Sequence, residues 1–342
     1  MLMVGSCFML VTVVSFVVSV AGVLISFFSL NLMGVWVGME LNFLASVCFM
    51  VGSSVEEGES VIKYYIIQVL GSGFSVMGML LMVNGFMVST GETLLLLGML
   101  MKLGMFPFHF WVGPVVSKMS WPSVAMVLLI QKLIPLWVIV NCLLLSGEVS
   151  NVELLCALTS VVGCLAGLNV LNYRVLVAMS SLTHLGCLVM LSVCEYWALW
   201  VYFLVYSVLS ACLMWSMWCM GVLSFQDLMK ESGVSGYDDF WWVSMYFLSV
   251  AGLPPFTGCV MKSLFAVTCW EDMSMGTAVS IMVSCISLFF YLSVELSMVV
   301  YWGKSLSKMS KGFNKKNNRL RLISMLLNIP FGFMLFLMVS LV

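Results

Sequence analysis

The sequence predicts an all-α polytopic membrane protein of about 11 transmembrane helices, and three observations carry that prediction. Of the 342 residues, 63% are hydrophobic and 8% are charged, against roughly 25% charged in a soluble domain; mean hydropathy is +1.14. Apolar runs of about 20 residues, the length that crosses hydrocarbon as a helix, recur with short connections between them. Outside those runs, Lys and Arg fall in alternate connections only. A bilayer offers no water to backbone N–H and C=O groups, so helices that satisfy their own are the expected solution. A net charge of −1 with no basic groove points away from a nucleic-acid partner.

The first segment, 3–24, is continuously apolar. It lacks the Arg-rich pattern of a transit peptide and the polar spacer of a signal, so it reads as a membrane helix. Segment 25–51 carries Glu40 near its middle, in WVGMELNFL. Segment 60–84 holds Gly71, Ser72 and Gly73 with no following Lys and no preceding strand, so it is no phosphate loop. Segment 92–113 contains Lys102 and Pro107, and 123–146 contains Lys132 in LIQKLIPLW. Segments 152–171 and 174–194 follow, the second with His184 in SSLTHLG, and then 197–223. Segment 240–269 is interrupted by AGLPPFTG, and 277–302 and 321–342 complete the set of spans. The longest connections are 224–239 and 303–320, too short for a separate soluble domain, so 1–342 is one transmembrane domain. Small residues four apart, Gly34 with Gly38 and Gly163 with Gly167, predict close helix contacts. Trp241, Trp242, Tyr301 and Trp302 near span ends read as interfacial belts. Twelve cysteines occur without a C-x-x-C spacing and mostly within apolar segments (Cys156, Cys164, Cys187, Cys212, Cys285), which reads as small apolar filling rather than metal or cluster ligation.

Charge tests the count of spans. The even connections, with their flanks, hold Lys63, Lys118, Arg174, Lys230, Lys304, Lys308, Lys311, Lys315, Lys316, Arg319 and Arg321. The odd connections hold no Lys or Arg but carry Glu92, Glu148, Glu153, Glu195, Glu271 and Asp272. A wrong count would scramble this alternation, so it places the N-terminus and even connections inside and the C-terminus outside. Three lysines remain, all within spans: Lys102, Lys132 and Lys262.

Proline interrupts the fourth and ninth spans, at Pro107 and at Pro254 with Pro255. The interruptions lie five spans apart, and an odd offset inverts the second set in the membrane. This predicts two inverted five-helix repeats, 3–146 and 152–302, followed by a C-terminal helix at 321–342. Paired discontinuous helices in an inverted repeat point to a transport site at the midplane; unrelated proline kinks are the plainer alternative.

Glu40, Lys102, Lys132 and Lys262 are ionisable groups at bilayer depth, where a charge costs at least ~2.5–3.5 kcal/mol. Such residues by default mark an ion or proton path. Lys102 stands five residues before Pro107, about 7.5 Å along a helix. Burial disfavours an ammonium and an adjacent carboxylate favours it, so a Glu–Lys pair that can separate is a proton switch. A static pair that fixes helix register is the alternative, although buried pairs are poor stability devices and one pair does not account for three lysines. His109, in FPFHFW, and His184, beside Ser180, Ser181 and Thr183, suit proton relay, while a lone membrane histidine also serves as a hydrogen-bonded packing residue. Glu295, near the end of its span, reads as an interfacial anchor.

The strings WVGMELN, KYYIIQ (63–68), LMKLGMFPFHFW (100–111), QKLIPLW (131–137), SSLTHLG (180–186) and LPPFTGCVMK (253–262) together resemble one family: membrane subunit 2 of the proton-pumping NADH:ubiquinone oxidoreductase, respiratory complex I. The resemblance covers residues 35–262 and implies an antiporter-like fold of two inverted repeats, in the shortened mitochondrial form that lacks the first three helices. It implies proton translocation, with Glu40, Lys102, His109, Lys132, His184 and Lys262 as the polar axis. The expected enzyme role is that of a subunit of an H+-translocating NADH:ubiquinone reductase. No cofactor is expected in this chain; NAD, FMN, iron–sulfur clusters and ubiquinone would sit on partner subunits. The implied partners are other membrane subunits of the complex, neighbouring antiporter-like subunits among them, and the lipid bilayer. The implied location is the mitochondrial inner membrane, with the N-terminus in the matrix and the C-terminus in the intermembrane space. Two other functions remain open at this point: a subunit of a multisubunit sodium/proton antiporter, and a structural scaffold without its own proton path. Lys102 precedes its interruption while Lys262 follows its own, so equivalence of the two half-sites is not expected to be strict.

Overall fold

The computed structural model describes residues 2–52, 54–85, 87–146, 149–168, 170–225, 227, 237–254 and 256–306, with residues 328 and 332. Apart from residues 328 and 332, the expected C-terminal helix at 321–342 lies outside the described residues, as does nearly all of the basic connection 303–320. The chain divides into two units, Met1–Leu155 and Cys156–Val342.

The first unit opens with α1 (Leu2–Phe28) and α2 (Leu32–Met50), an antiparallel pair that packs backbone to backbone. A Cβ on Gly38 would stand 2.7 Å from the Gly22 carbonyl oxygen, a contact that small residues allow between membrane helices. Helix α3 (Val55–Val83) begins with a capping box: the Ser54 hydroxyl accepts from the Glu57 N–H, and the Glu57 carboxylate accepts from the Ser54 N–H. It packs as closely on α4 (Val88–Leu103), where a Cβ on Gly98 would meet the Gly71 carbonyl at 2.7 Å. The chain then breaks. A 3-10 turn at Phe108–Trp111 leads to α5 (Val112–Val116) and α6 (Trp121–Ala125). A π-helical stretch, Met126–Ile130, joins α6 to α7 (Gln131–Ser146).

Helix α8 (Val149–Gly167) spans the boundary between the units. The second unit continues with α9 (Tyr173–Cys194), α10 (Tyr196–Met220), α11 (Tyr237–Ala251), α12 (Thr257–Cys269) and α13 (Ser274–Leu306). Gly163 of α8 packs on α9 through Leu182 and Met179, as the four-residue spacing predicts; Gly167 instead meets the Phe290 ring.

Eight helices among the described residues are long and apolar enough to cross a membrane, and three shorter apolar helices cover Asn151–Gly167, Trp242–Ala251 and Thr257–Cys269. Helices thus occupy every predicted segment from 3–24 to 277–302, with 240–269 divided in two. Buried serines are accommodated without breaking helices, because hydroxyls such as those of Ser26, Ser46, Ser75 and Ser181 donate to the carbonyl three residues earlier.

Connections assigned to one side do meet. Glu59 bridges Lys63 and Lys118 at 2.6 Å each, which joins the start of α3 to the turn before α6. In the second unit, the segment before α9 pairs with the one after α10 through an antiparallel bridge between Asn172 and Ser224.

Candidate functional site

In the first unit the site is built on the break after α4. Gly104 adopts the left-handed conformation (φ +73°), which costs glycine no Cβ clash. Its N–H reaches the Met101 carbonyl at 3.2 Å and the Met105 N–H reaches the Leu100 carbonyl at 3.1 Å. That is a Schellman cap, and a proline shortly beyond such a cap is the usual accompaniment. The glycine therefore ends the helix, and Pro107, three residues on, prevents its resumption. Lys102 occupies the last turn of α4, and its carbonyl accepts a hydrogen bond from Gln68 Nε2 of α3 at 3.2 Å. Its ammonium lies 3.5 Å from Glu40 Oε1, with side-chain exposures of 3% for the lysine and 21% for the glutamate. Gly71 makes room for the lysine stem, since a Cβ there would sit 2.9 Å from Lys102 Cγ.

Two residues beyond Glu40, Asn42 holds Gln131 reciprocally. Gln131 Nε2 donates to Asn42 Oδ1 at 3.1 Å, and Asn42 Nδ2 donates to Gln131 Oε1 at 3.4 Å. Gln131 is the neighbour of Lys132, which is buried at 4% exposure. Pro135 removes the helical donor for the Gln131 carbonyl, and the π stretch just before it widens the helix at the same place; such bulges recur at functional positions. His109 stands apart. Its ring packs against Phe106 and Phe110, and its buried Nδ1 meets no hydrogen-bond partner among the described residues.

In the second unit, Gly252 (φ +82°) caps α11 in the same way: its N–H reaches the Ser249 carbonyl at 3.0 Å and the Leu253 N–H reaches Leu248 at 3.3 Å. Pro254 follows two residues later. The Lys262 stem lies over Gly252, where a Cβ would meet Lys262 Cδ and Cε at 2.7 Å. Its ammonium donates to the carbonyl of Ala251, the last residue of α11. The ends of α11 and α12 are clasped by polar groups, with Ser249 and Thr257 hydroxyls 3.0 Å apart and both donating to Asn328 Oδ1. Lys262 and His184 line one cavity of about 30 Å³, with Thr183, Cys187, Tyr202 and serines of α13. That volume holds about two water molecules. His184 Nδ1 is 2.8 Å from the Tyr202 hydroxyl, and its ring lies 4.8 Å from that of Tyr206.

Of the six site residues read from sequence, the fold therefore pairs Glu40 with Lys102 and places His184 and Lys262 on one cavity. Lys132 adjoins the Asn42–Gln131 clasp, and His109 is separate from these groups. Lys262 is half-buried rather than fully enclosed. The sequence reading missed the two capping glycines, Gln68, the Asn42–Gln131 clasp and Tyr202. A glycine two or three residues before a proline at the end of an apolar run was the available signal for the caps. Nothing in sequence joins Tyr202 to His184. Among the described residues no group of three or more His, Cys, Asp or Glu is placed to hold a metal ion.

Helices interrupted midway along apolar stretches, with lysines at the interruptions, define a class of membrane transport protein. Residues 81–290 match the family model described as NADH:quinone oxidoreductase/Mrp antiporter, transmembrane region. The NADH-ubiquinone oxidoreductase chain 2 of Lumbricus terrestris is 32% identical over 274 residues, 79% of this chain and 81% of that one. The chain belongs to the NADH-ubiquinone oxidoreductase chain 2 family. Among solved structures, respiratory complex I from Thermus thermophilus with bound aureothin contains a chain matching with TM-score 0.75 at 18% identity, over 96% of this chain and 78% of that one. A chain of the Mrp complex from Dietzia sp. matches with TM-score 0.72 at 19% identity; the match covers 83% of this chain but 58% of that one. At these identities the likeness is one of fold.

Proposed function

We propose that this chain is a proton-translocating membrane subunit of NADH:ubiquinone oxidoreductase, which moves protons through Glu40, Lys102, His109, Lys132, His184 and Lys262 while NADH oxidation and quinone reduction proceed on partner subunits. The carrying observation is the Glu40–Lys102 pair, an ammonium almost fully enclosed at a helix break with a single carboxylate 3.5 Å away. An enclosed ammonium without a counter-charge favours release of its proton, and a carboxylate in contact favours retention. Separation of the pair is then a release step and its re-formation a loading step. A one-unit change in proton affinity is worth about 1.4 kcal/mol, and the membrane potential opposes each charge by about 2.3 kcal/mol per 100 mV. Asn42 and Gln131 supply polar groups toward Lys132, and the cavity between His184 and Lys262 has room for the water a relay needs.

The finer assignments belong to the same reading. NAD, FMN, iron–sulfur clusters and ubiquinone are held by partner subunits. The partners are other membrane subunits of the complex, including antiporter-like ones. The two five-helix sets, 3–146 and 152–302, are inverted repeats, each with one glycine-capped break. The protein lies in the mitochondrial inner membrane with the N-terminus and the basic 303–320 connection in the matrix, and the C-terminus in the intermembrane space. Cysteines placed in 303–320 should react with impermeant thiol reagents only from the matrix side; labelling from the intermembrane side would overturn both the orientation and the count of spans.

The principal test is Lys102→Met in the assembled complex reconstituted into vesicles. It should lower proton pumping and, through tight coupling, slow quinone reduction. Normal assembly with a wild-type proton-to-electron ratio and rate would make Lys102 structural. Copurification with flavin and iron–sulfur subunits separates this function from that of a sodium/proton antiporter.

A further inference from the structure

Helix α13 exposes an apolar face and buries a mixed one, in which a line of polar groups runs beside Val283, Phe290, Val294 and Met298. Met282, Ile286, Phe289 and Leu296 point outward. Ser280, Ser284, Ser287, Tyr291 and Glu295 recur at intervals of three or four residues, which places them within about 80° of one another on one side of the helix. The three serines line the Lys262–His184 cavity. Each donates its proton to the carbonyl three residues earlier and so turns oxygen lone pairs outward as acceptors. Tyr291, 2% exposed, stands one turn beyond Ser287; its hydroxyl is buried and meets no partner at hydrogen-bond geometry among the described residues. Glu295 stands one turn further, about 12 Å along the axis from Ser287. Its Oε1 is buried and makes no hydrogen bond among the described residues.

A buried carboxylate oxygen without a partner is costly. An interfacial anchor turns its carboxylate to water, whereas here one oxygen is enclosed and the residue is only partly exposed. An acid placed to take up and give away a proton, at the end of a polar stripe that opens on a water-sized cavity, accounts for both the burial and the position.

We infer that this face of α13 is a proton branch that joins the Lys262–His184 cavity to the basic-connection end of α13, with Glu295 as its acceptor. The inference rests on the proton-translocation reading above. A proton taken from the aqueous side neutralises the Glu295 carboxylate. Glu295 then passes it to the Tyr291 oxygen as the phenol releases its own proton to cavity water, so the carboxylate and the phenol both return to their starting states. From that water the proton is within reach of His184 and Lys262.

The test uses the assembled complex in vesicles, with three variants read for proton-to-electron ratio, quinone-reduction rate and the infrared band of a protonated carboxyl. Glu295→Gln should lower the ratio, slow turnover roughly tenfold and abolish one carboxyl band; Glu295→Asp should recover part of the rate. Tyr291→Phe removes a hydroxyl without changing shape, and should lower the ratio even if Glu295→Gln fails to assemble. Wild-type ratios in both Glu295→Gln and Tyr291→Phe, with pumping lost in Lys262→Met, would overturn the branch and leave the underlying reading intact. A wild-type ratio in Lys262→Met would overturn the underlying reading instead.

Discussion

The two helix breaks share a cap and differ in how each lysine's charge is met. At Gly104 and at Gly252 the same pair of hydrogen bonds closes the helix, and in each case a side chain donates to a carbonyl of the last turn. At the first break that donor is the neutral Gln68, so Lys102, although in the same turn, takes its counter-charge from Glu40 on another helix. At the second break the donor is Lys262 itself, which comes from beyond the break and sets its ammonium on the negative end of α11. Both lysines are nevertheless tied to a helix C-terminus, Lys102 by its place in the last turn of α4 and Lys262 by its ammonium on the end of α11. One lysine thus depends on a side-chain carboxylate from another helix, whereas the other rests on a backbone carbonyl at a helix end. Under the proposed function, the first suits switching and the second holding.

The largest effect that this contrast predicts is on stability. Glu40→Gln strands an enclosed ammonium and should cost about 3–5 kcal/mol. The double change Glu40→Gln with Lys102→Met should recover most of that loss, as double-mutant cycles detect for directly interacting groups. Lys262→Met leaves no buried carboxylate behind. It unpairs one carbonyl, at a cost of about 1–3 kcal/mol. Thermal unfolding of the assembled complex measures all three, and the contrast breaks if Lys262→Met proves the most destabilising.

A smaller effect separates the caps. Gly104→Ala and Gly252→Ala each force an L-residue into the left-handed region, at about 1–2 kcal/mol. At Gly104 the added methyl meets Val112 Cγ2 and the Trp111 ring, both buried, so the cost falls on stability. At Gly252 it meets the Lys262 stem, which can swing aside only by giving up the Ala251 carbonyl. Gly252→Ala should therefore lower pumping out of proportion to its stability loss, while Gly104→Ala should not. Equal ratios of activity to stability in the two variants would show that Lys262 does not act through the helix end.

How much of this could be read in advance follows from what hydropathy and charge encode. Bilayer-length apolar runs locate helices to a few residues, and lysines inside them stand out against the alternation of the connections. Glu40 and Lys102 were legible as a pair because each is costly alone. The breaks were legible through Pro107 and Pro254, yet the residues that make them are Gly104 and Gly252. Proline advertises a break from the sequence, whereas a left-handed cap is defined by dihedrals that glycine permits but does not announce. The Asn42–Gln131 clasp, 89 residues apart, and the His184–Tyr202 contact depend on which helix faces lie together. Hydropathy carries little of that information in a protein whose helices are mostly apolar on every face.

The smallest effect comes from a charge cluster that looks stronger on distance alone. Glu59 meets Lys63 and Lys118 at 2.6 Å, closer than the 3.5 Å of the Glu40–Lys102 pair, but its side chain is 49% exposed and those of Lys63 and Lys118 are 46% and 33% exposed. Water already solvates these charges, so the shorter contacts should contribute less than the longer buried one. The hydrogen bond from Lys118 to Glu59 holds the lysine above its ordinary range. A raised value gives a stabilisation that is complete below the unfolded lysine pKa of about 10.4 and is lost as pH rises through the folded one. Lys118→Gln should therefore shift the unfolding temperature little, by an amount constant between about pH 6 and 9 and reduced by added salt. A loss as large as that of Glu40→Gln would mean that proximity rather than enclosure sets the worth of these pairs, and the contrast between the switching lysine and the others would fall with it.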